Sequence, residues 1–203
     1  MEVLVVESEP RAADIAIMQL EALGHQIKRC HEPEAEEQSF PCIGLASGHC
    51  PLEEDAIDVV LTVRGHSHLN PTPLEDGITC ALRRKVPVVI AGRTDPNPFE
   101  SFGVAVAERD VTGVCQRVAT DARADYGAVA RKALDWTLRF RGLSIDDAHV
   151  AVKRFGRGLQ VVLELPAGAS KLACSMAAVR VSSALRAFDA HAAFINVTCT
   201  VNP

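Results

Sequence analysis

Short apolar runs alternate with stretches of helical periodicity along the first 141 residues. Val3-Leu4-Val5-Val6 is unbroken, the pattern of a strand covered on both faces. Glu7-Ser8-Glu9 ends it, with Ser8 or Glu9 available as a helix cap, and Pro10 follows where a first helical turn tolerates proline. Ala13, Ala16, Ile17, Leu20 and Leu23 share one helical face, and Gly24 closes the helix. Ile15, Met18 and Ala22 form a second apolar stripe, and a helix apolar on two faces packs against two things. Further strands are predicted over His25–Cys30, Ile57–Val63 and Val86–Ala91, with a weaker one over Phe102–Ala107. Glu32–Ser39 reads as a short helix or a loop, Phe40–Leu52 and Arg64–Asp76 as loops, and Gly77–Arg84 as a helix.

Asp110–Arg141 is mostly helical, with one stripe at Val111, Val114 and Val118 and another at Val129, Ala133, Trp136 and Phe140. Glycine costs about 1 kcal/mol in a helix interior, so a break is expected near Ala124–Gly127, with Asp125 as a cap. Beyond Leu143 the period changes to two. His149–Phe155 and Leu159–Leu165 flank a Gly156–Gly158 hairpin, Ser170 caps a helix, and Ala193–Val201 is a last strand. The fold class that follows is α/β: a doubly wound, parallel, five-stranded sheet, then helices and a small ββαβ domain. The expected boundaries are 1–122, a helical connector 123–144, and 145–203 as an assembly or docking domain.

Composition narrows the function. The chain has 203 residues, of which 48% are hydrophobic, so a sizeable core is within reach. The net charge of -5 is uneven: residues 1–62 hold thirteen acidic side chains against three basic ones, and 146–203 hold four against six. An acidic first half argues against a phosphate-binding surface there, and there is no basic recognition helix, so no nucleic acid is expected. No apolar run is long enough for a bilayer, and the chain opens directly on a core strand. We therefore expect a soluble cytoplasmic protein with no membrane partner.

Local sequence adds a family. VLVVESEP resembles the first strand end of response-regulator receiver domains; LEALGHQI, DVVLTV and VPVVIA resemble the end of their first helix, their third strand and their fourth. The resemblance covers about residues 1–120 and implies a flavodoxin-like fold. The family's chemistry does not carry over. Receivers seat Mg²⁺ on two adjacent acidic residues, where Glu7 and Ser8 stand, and phosphorylate an Asp ending strand three, where Thr62 or Val63 stands. Their Ser or Thr after strand four is replaced by Ala91 and Gly92, and their Lys after strand five by Glu108 and Arg109. The resemblance therefore implies a pseudo-receiver that Asp phosphorylation does not switch. GLQVVLELPAGA, SSALRAFDA and INVTCTV faintly resemble the alkaline-shock protein domain, which offers no catalytic motif.

Seven cysteines in a reducing compartment are free thiols or metal ligands. Cys80, Cys115, Cys174 and Cys199 sit in helical or strand patterns and are assigned to packing. Cys30-His31, Cys42 and His49-Cys50 lie within 21 residues. Three thiols and an imidazole suit tetrahedral Zn²⁺, three thiolates suit an Fe–S cluster, and packing or a Cys42–Cys50 redox pair are the other readings. His66 and His68 stand on the next loop. No GxSxG, GxxxxGK[ST] or HExxH occurs, so no nucleotide is expected. The expectation is a non-catalytic regulatory protein acting through protein contacts, with a metal- or Fe–S-dependent activity of the cysteine cluster as the alternative. The stripe of Ile15, Met18 and Ala22 would be covered by a partner or a second copy in a homodimer, or by the Asp125–Arg141 helix folding back.

Overall fold

The structure is a computed structural model that describes residues 1–31, 42–66, 70–92, 96–106 and 110–202. The chain divides into two compact units, Met1–Thr120 and Asp121–Pro203. In the first, strands β1 (Glu2–Glu7), β2 (Gln26–Arg29), β3 (Ile57–Arg64), β4 (Val88–Gly92) and β5 (Val104–Ala105) form one parallel sheet in the order β2-β1-β3-β4-β5. The apolar runs make the central strands because both faces are covered. On one face Val3, Val5, Val59, Leu61 and Val89 pack with Ala16, Ile17 and Leu20 of α1 (Asp14–Ala22) and Val111, Val114 and Cys115 of α5 (Val111–Arg139). On the other, Leu4, Val6, Val60, Val88 and Ile90 pack with Ile78 and Ala81 of α4 (Asp76–Arg83). Burying each such Leu, Ile or Val is worth about 1.5–3 kcal/mol. This is the doubly wound α/β sheet that the alternation of runs predicts.

The departures are local. Strand two starts after His25 and stops before Cys30, and strand five shrinks to two exposed residues. The Phe40–Leu52 stretch, read as a loop, carries two short helices, α2 (Ile43–Ser47) and α3 (Pro51–Glu54). Neither Ser8 nor Glu9 caps α1: its N-cap is Ala13, whose N–H is accepted by the Glu7 carboxylate at 3.0 Å. Leu23, placed on the core face, is exposed because α1 ends at Ala22 and the chain turns away at Gly24.

The long helix α5 runs unbroken through Gly127, so the break expected near Ala124–Gly127 is absent. Its later buried stripe is Tyr126, Ala130, Leu134 and Leu138, not Trp136 and Phe140. Four apolar contacts at i, i+4, i+8 and i+12 outweigh the cost of one glycine. In the second unit they pack with β6 (His149–Phe155), β7 (Gly158–Leu165), α6 (Lys171–Phe188) and β8 (Ile195–Val201). β6 and β7 are an antiparallel hairpin, and β8 returns parallel to β7 after α6, the ββαβ arrangement the period-two runs predict. Ser170 caps α6 by accepting from the Ala173 N–H at 3.1 Å. Among the described residues no helix is long and apolar enough to cross a membrane.

Candidate functional site

In an open parallel sheet, ligands bind outside the carboxyl ends of the strands where the order reverses. Here that point lies between β1 and β3, beside Glu7, Ser8, Thr62 and Val63. Register pairs Val6 with Thr62 and Glu7 with Val63, and across β3 pairs Thr62 with Ile90 and Val63 with Ala91. The four positions are thus neighbours, as the strand ends predict. Glu108 lies outside the described residues.

Protein groups already hold this edge. The Glu7 carboxylate accepts from Arg29 as well as from the Ala13 N–H. Ser8 is buried, its hydroxyl donates to Glu9, and the Thr72 hydroxyl donates to the Ser8 carbonyl at 2.9 Å. The second carboxylate oxygen of Glu9 faces His66 Nδ1 at 2.6 Å. Thr62 is buried between two strands, and its hydroxyl has no hydrogen-bond partner among the described residues. Val63 and Ala91 are buried and apolar, with nothing to donate to an oxyanion.

The next residue of β3 is held in a buried ion pair. Arg64 and Glu75 have side chains with 0% exposure and form a bidentate pair, Nε to Oε1 and Nη2 to Oε2, both at 2.7 Å. Arg64 Nη2 also donates to the Asn70 carbonyl at 3.1 Å, and the guanidinium lies 6.0 Å from the Phe99 ring centroid. The Thr72 N–H donates to Glu75 at 2.8 Å, completing a capping box before α4. Gly92 has φ of 83°, and a β-carbon there would lie 2.2 Å from the Arg64 carbonyl oxygen. Sequence reading passed over Arg64 and Glu75, because neither belongs to a motif.

A two-carboxylate Mg²⁺ seat needs several free oxygen donors. Glu7 is committed to Arg29 and Glu9 to His66 and Ser8, so these residues do not fit that ion. They also leave no carboxylate at the end of β3 to accept a phosphoryl group.

The cysteine region is organised differently. Cys30 follows β2, is buried, and is packed under α4; Cys42 and Cys50 are the N-cap residues of α2 and α3. The Ile43 N–H donates to the Cys30 carbonyl at 2.8 Å, which ties α2 to the end of β2. Burial, then the nearby thiols of Cys50, Cys42 and Cys80, push the Cys30 thiol up to about 12, with Arg84 acting against them. Cys80 on α4 is also raised, by burial and then by Cys50. His31 has its pKa lowered by burial, against the pull of Asp76, and its Nε2 has no partner among the described residues. His49 is exposed and faces Glu54 at 3.2 Å. Among the described residues no group of three or more His, Cys, Asp or Glu side chains is placed to hold a metal ion. The missed member of the neighbourhood is Cys80, whose helical surroundings hid it.

On α1, Ile15 and Met18 are 64% and 62% exposed, and Ala22 is exposed as well. Trp136 and Phe140 stack on each other at 5.9 Å, with Arg180 over the Trp136 ring at 3.4 Å.

No family model matches the chain, and no curated protein matches it. Two solved structures are similar over 100% of this chain and 93% of their own, each at 12% identity. One is Era in complex with MgGDPNP and nucleotides 1506–1542 of 16S ribosomal RNA, with a TM-score of 0.32. The other is a variant of Aquifex aeolicus Era bound to GDP·AlF4⁻, with a TM-score of 0.28. Likeness at that level carries no functional argument. The class this chain defines by itself is a five-stranded parallel α/β unit joined to a ββαβ unit.

Proposed function

We propose that the first unit is a phosphorylation-independent pseudo-receiver, and that the protein is a non-catalytic regulator working through protein contacts. One observation carries the reading. In a sheet of order 2-1-3-4-5, Arg64 and Glu75 form a buried ion pair at the carboxyl end of β3, and among the described residues that strand end carries no acceptor carboxylate. α1 offers an apolar surface for signalling. Ile15, Met18 and Ala22 face solvent on it, and leaving Ile and Met in water forgoes about 1.5–3 kcal/mol each. A second copy of the chain, giving a homodimer, is the simplest cover.

The test pairs two measurements. Acetyl phosphate with Mg²⁺ should add no phosphoryl mass, and a stoichiometric hydroxylamine-labile adduct would overturn the reading. Met18→Glu should stay folded and move to a smaller species by size-exclusion with light scattering; an unchanged mass for both proteins removes the dimer.

A second reading, a metal- or Fe–S-dependent redox protein, draws on the thiols gathered around Cys30.

A further inference from the structure

We propose that the chain associates with itself by docking α1 of one copy into a groove on the outer face of α6 of another. The inference rests on the reading that a second copy covers α1, and it names the surface of that copy which does so.

The groove lies in the second unit. It encloses about 710 Å³ and is lined by Ser175, Met176, Val179, Arg180, Ser183 and Ala184, which recur along one side of α6. The end of α5 borders it. The Arg180 guanidinium lies 3.4 Å from the Trp136 ring centroid, and Arg141 donates to the Met176 Sδ at 3.1 Å. Trp136 is 51% exposed, and Phe140 and Val179 are each 68% exposed, so large apolar side chains line this face in water. The core of the unit is made by the opposite faces, with Leu134 and Leu138 of α5 against Ala177 and Val181 of α6.

The two surfaces match in length and in apolar spacing. The nine residues of α1 and the stretch from Ser175 to Ala184 each run for about 14 Å. α1 presents Ile15 and Met18 to solvent, and the groove presents Met176 and Val179 at the same i, i+3 spacing. An amphipathic helix laid in an apolar groove is read through anchors of that kind.

Charge selects the partner. α1 holds Asp14 and Glu21 and no basic residue, whereas α6 holds Lys171, Arg180 and Arg186 and no acidic one. Asp14 pairs with Arg11 just before the helix, and Glu21 meets no cation among the described residues. Arg180 and Arg141 lie against aromatic rings and meet no carboxylate among the described residues. The same division holds over the whole chain. Residues 1–120 carry nineteen acidic side chains against ten basic ones, and 121–203 carry seven against eleven. Two α1 helices face to face, or two grooves, would bring like charges together, which disfavours either contact. The acidic helix on the basic groove joins opposite charges and covers both apolar surfaces at once. Such a contact is heterologous, with each copy contributing a different surface.

Trp136 is the single tryptophan of the chain, so its fluorescence reports the groove directly. On dilution of the full chain its emission should move to longer wavelength as the mass from light scattering falls, both with one concentration dependence. Added salt should shift that dependence to higher protein concentration. This readout needs no variant. Met18→Glu and Val179→Glu, both at exposed positions, should each weaken association at least about tenfold. Leu45→Glu, at an exposed apolar position outside both surfaces, should leave it unchanged. An equimolar mixture of the Met18→Glu and Val179→Glu proteins should associate, because the first keeps the groove and the second keeps α1. A mixture that stays dissociated would overturn the inference. So would association lost in Met18→Glu but kept in Val179→Glu, with Trp136 emission independent of mass; that result would leave α1 as the contact and place its cover elsewhere. A wild-type chain of monomer mass at every concentration would overturn the inference and the homodimer together.

Discussion

Two buried arginine–carboxylate pairs invite comparison. In the first unit Arg64 meets Glu75 in a bidentate fork with both side chains at 0% exposure. In the second, Arg154 reaches Asp189 at 3.1 Å and also donates to the Tyr126 hydroxyl, which itself donates to Asp189 at 2.8 Å. The chemistry is nearly the same and the placement is not. Arg154 ties the β6 hairpin strand to the residue after α6, an ordinary brace for a small three-stranded core. Arg64 stands at the carboxyl edge of a doubly wound sheet, where this architecture otherwise receives ligands. The same kind of pair thus braces a small core in one unit and occupies the carboxyl end of β3 in the other.

Three substitutions sharpen the contrast, and the chain supplies its own reporters. Its single Trp, Trp136, lies in the second unit, while the buried thiol of Cys115 reports the first. Glu75→Ala should cost the most, about 3–5 kcal/mol, because it strands a fully buried guanidinium. Early alkylation of Cys115 in urea, with the Trp136 transition unmoved, is the expected record; a loss under about 1 kcal/mol would mean that water replaces the carboxylate and that the edge is open. Tyr126→Phe should cost less, about 1–2 kcal/mol, since Asp189 keeps Arg154 and the His191 N–H. That loss should appear in the Trp136 transition alone. Ser170→Ala removes one neutral cap bond from α6 and should cost about 1 kcal/mol by the same probe.

Much of the architecture was legible. Val3–Val6, Ile57–Val63 and Val86–Ala91 announce a parallel sheet because strands buried on both faces have no polar alternation, and the ββαβ unit shows in its period of two. Strand ends were harder to read. Val104–Ala105 pairs with β4 over two residues only, which no pattern of apolar residues can foretell. The choice between the Trp136–Phe140 and Tyr126–Leu138 stripes of α5 turned on a rotation of one residue, and packing against β7 decided it. Glu7, Ser8, Thr62 and Val63 could be placed at adjacent strand ends, but their partners could not. Arg64 and Glu75 lie eleven positions apart across a turn, and a charged residue in such a loop reads as solvated until the fold buries it. Cys80 was missed in the same way: helical periodicity places a side chain on a face without saying which loop lies across from it.

Gly92 bears on whether this edge could be built into a phosphate switch. Placing Asp at Thr62 or Val63 would supply an acceptor, and engineers would next want a hydroxyl residue at the end of β4. At position 92 any side chain would meet the Arg64 carbonyl and adopt a left-handed φ that only glycine takes without strain. Changing residue 64 does not relieve the crowding, because the atoms met are backbone, and it orphans Glu75 as well. Each single step is thus uphill, and the functional state lies several simultaneous changes away. In a fitness landscape such a switch is isolated from this chain: stability bars the route before any question of activity arises.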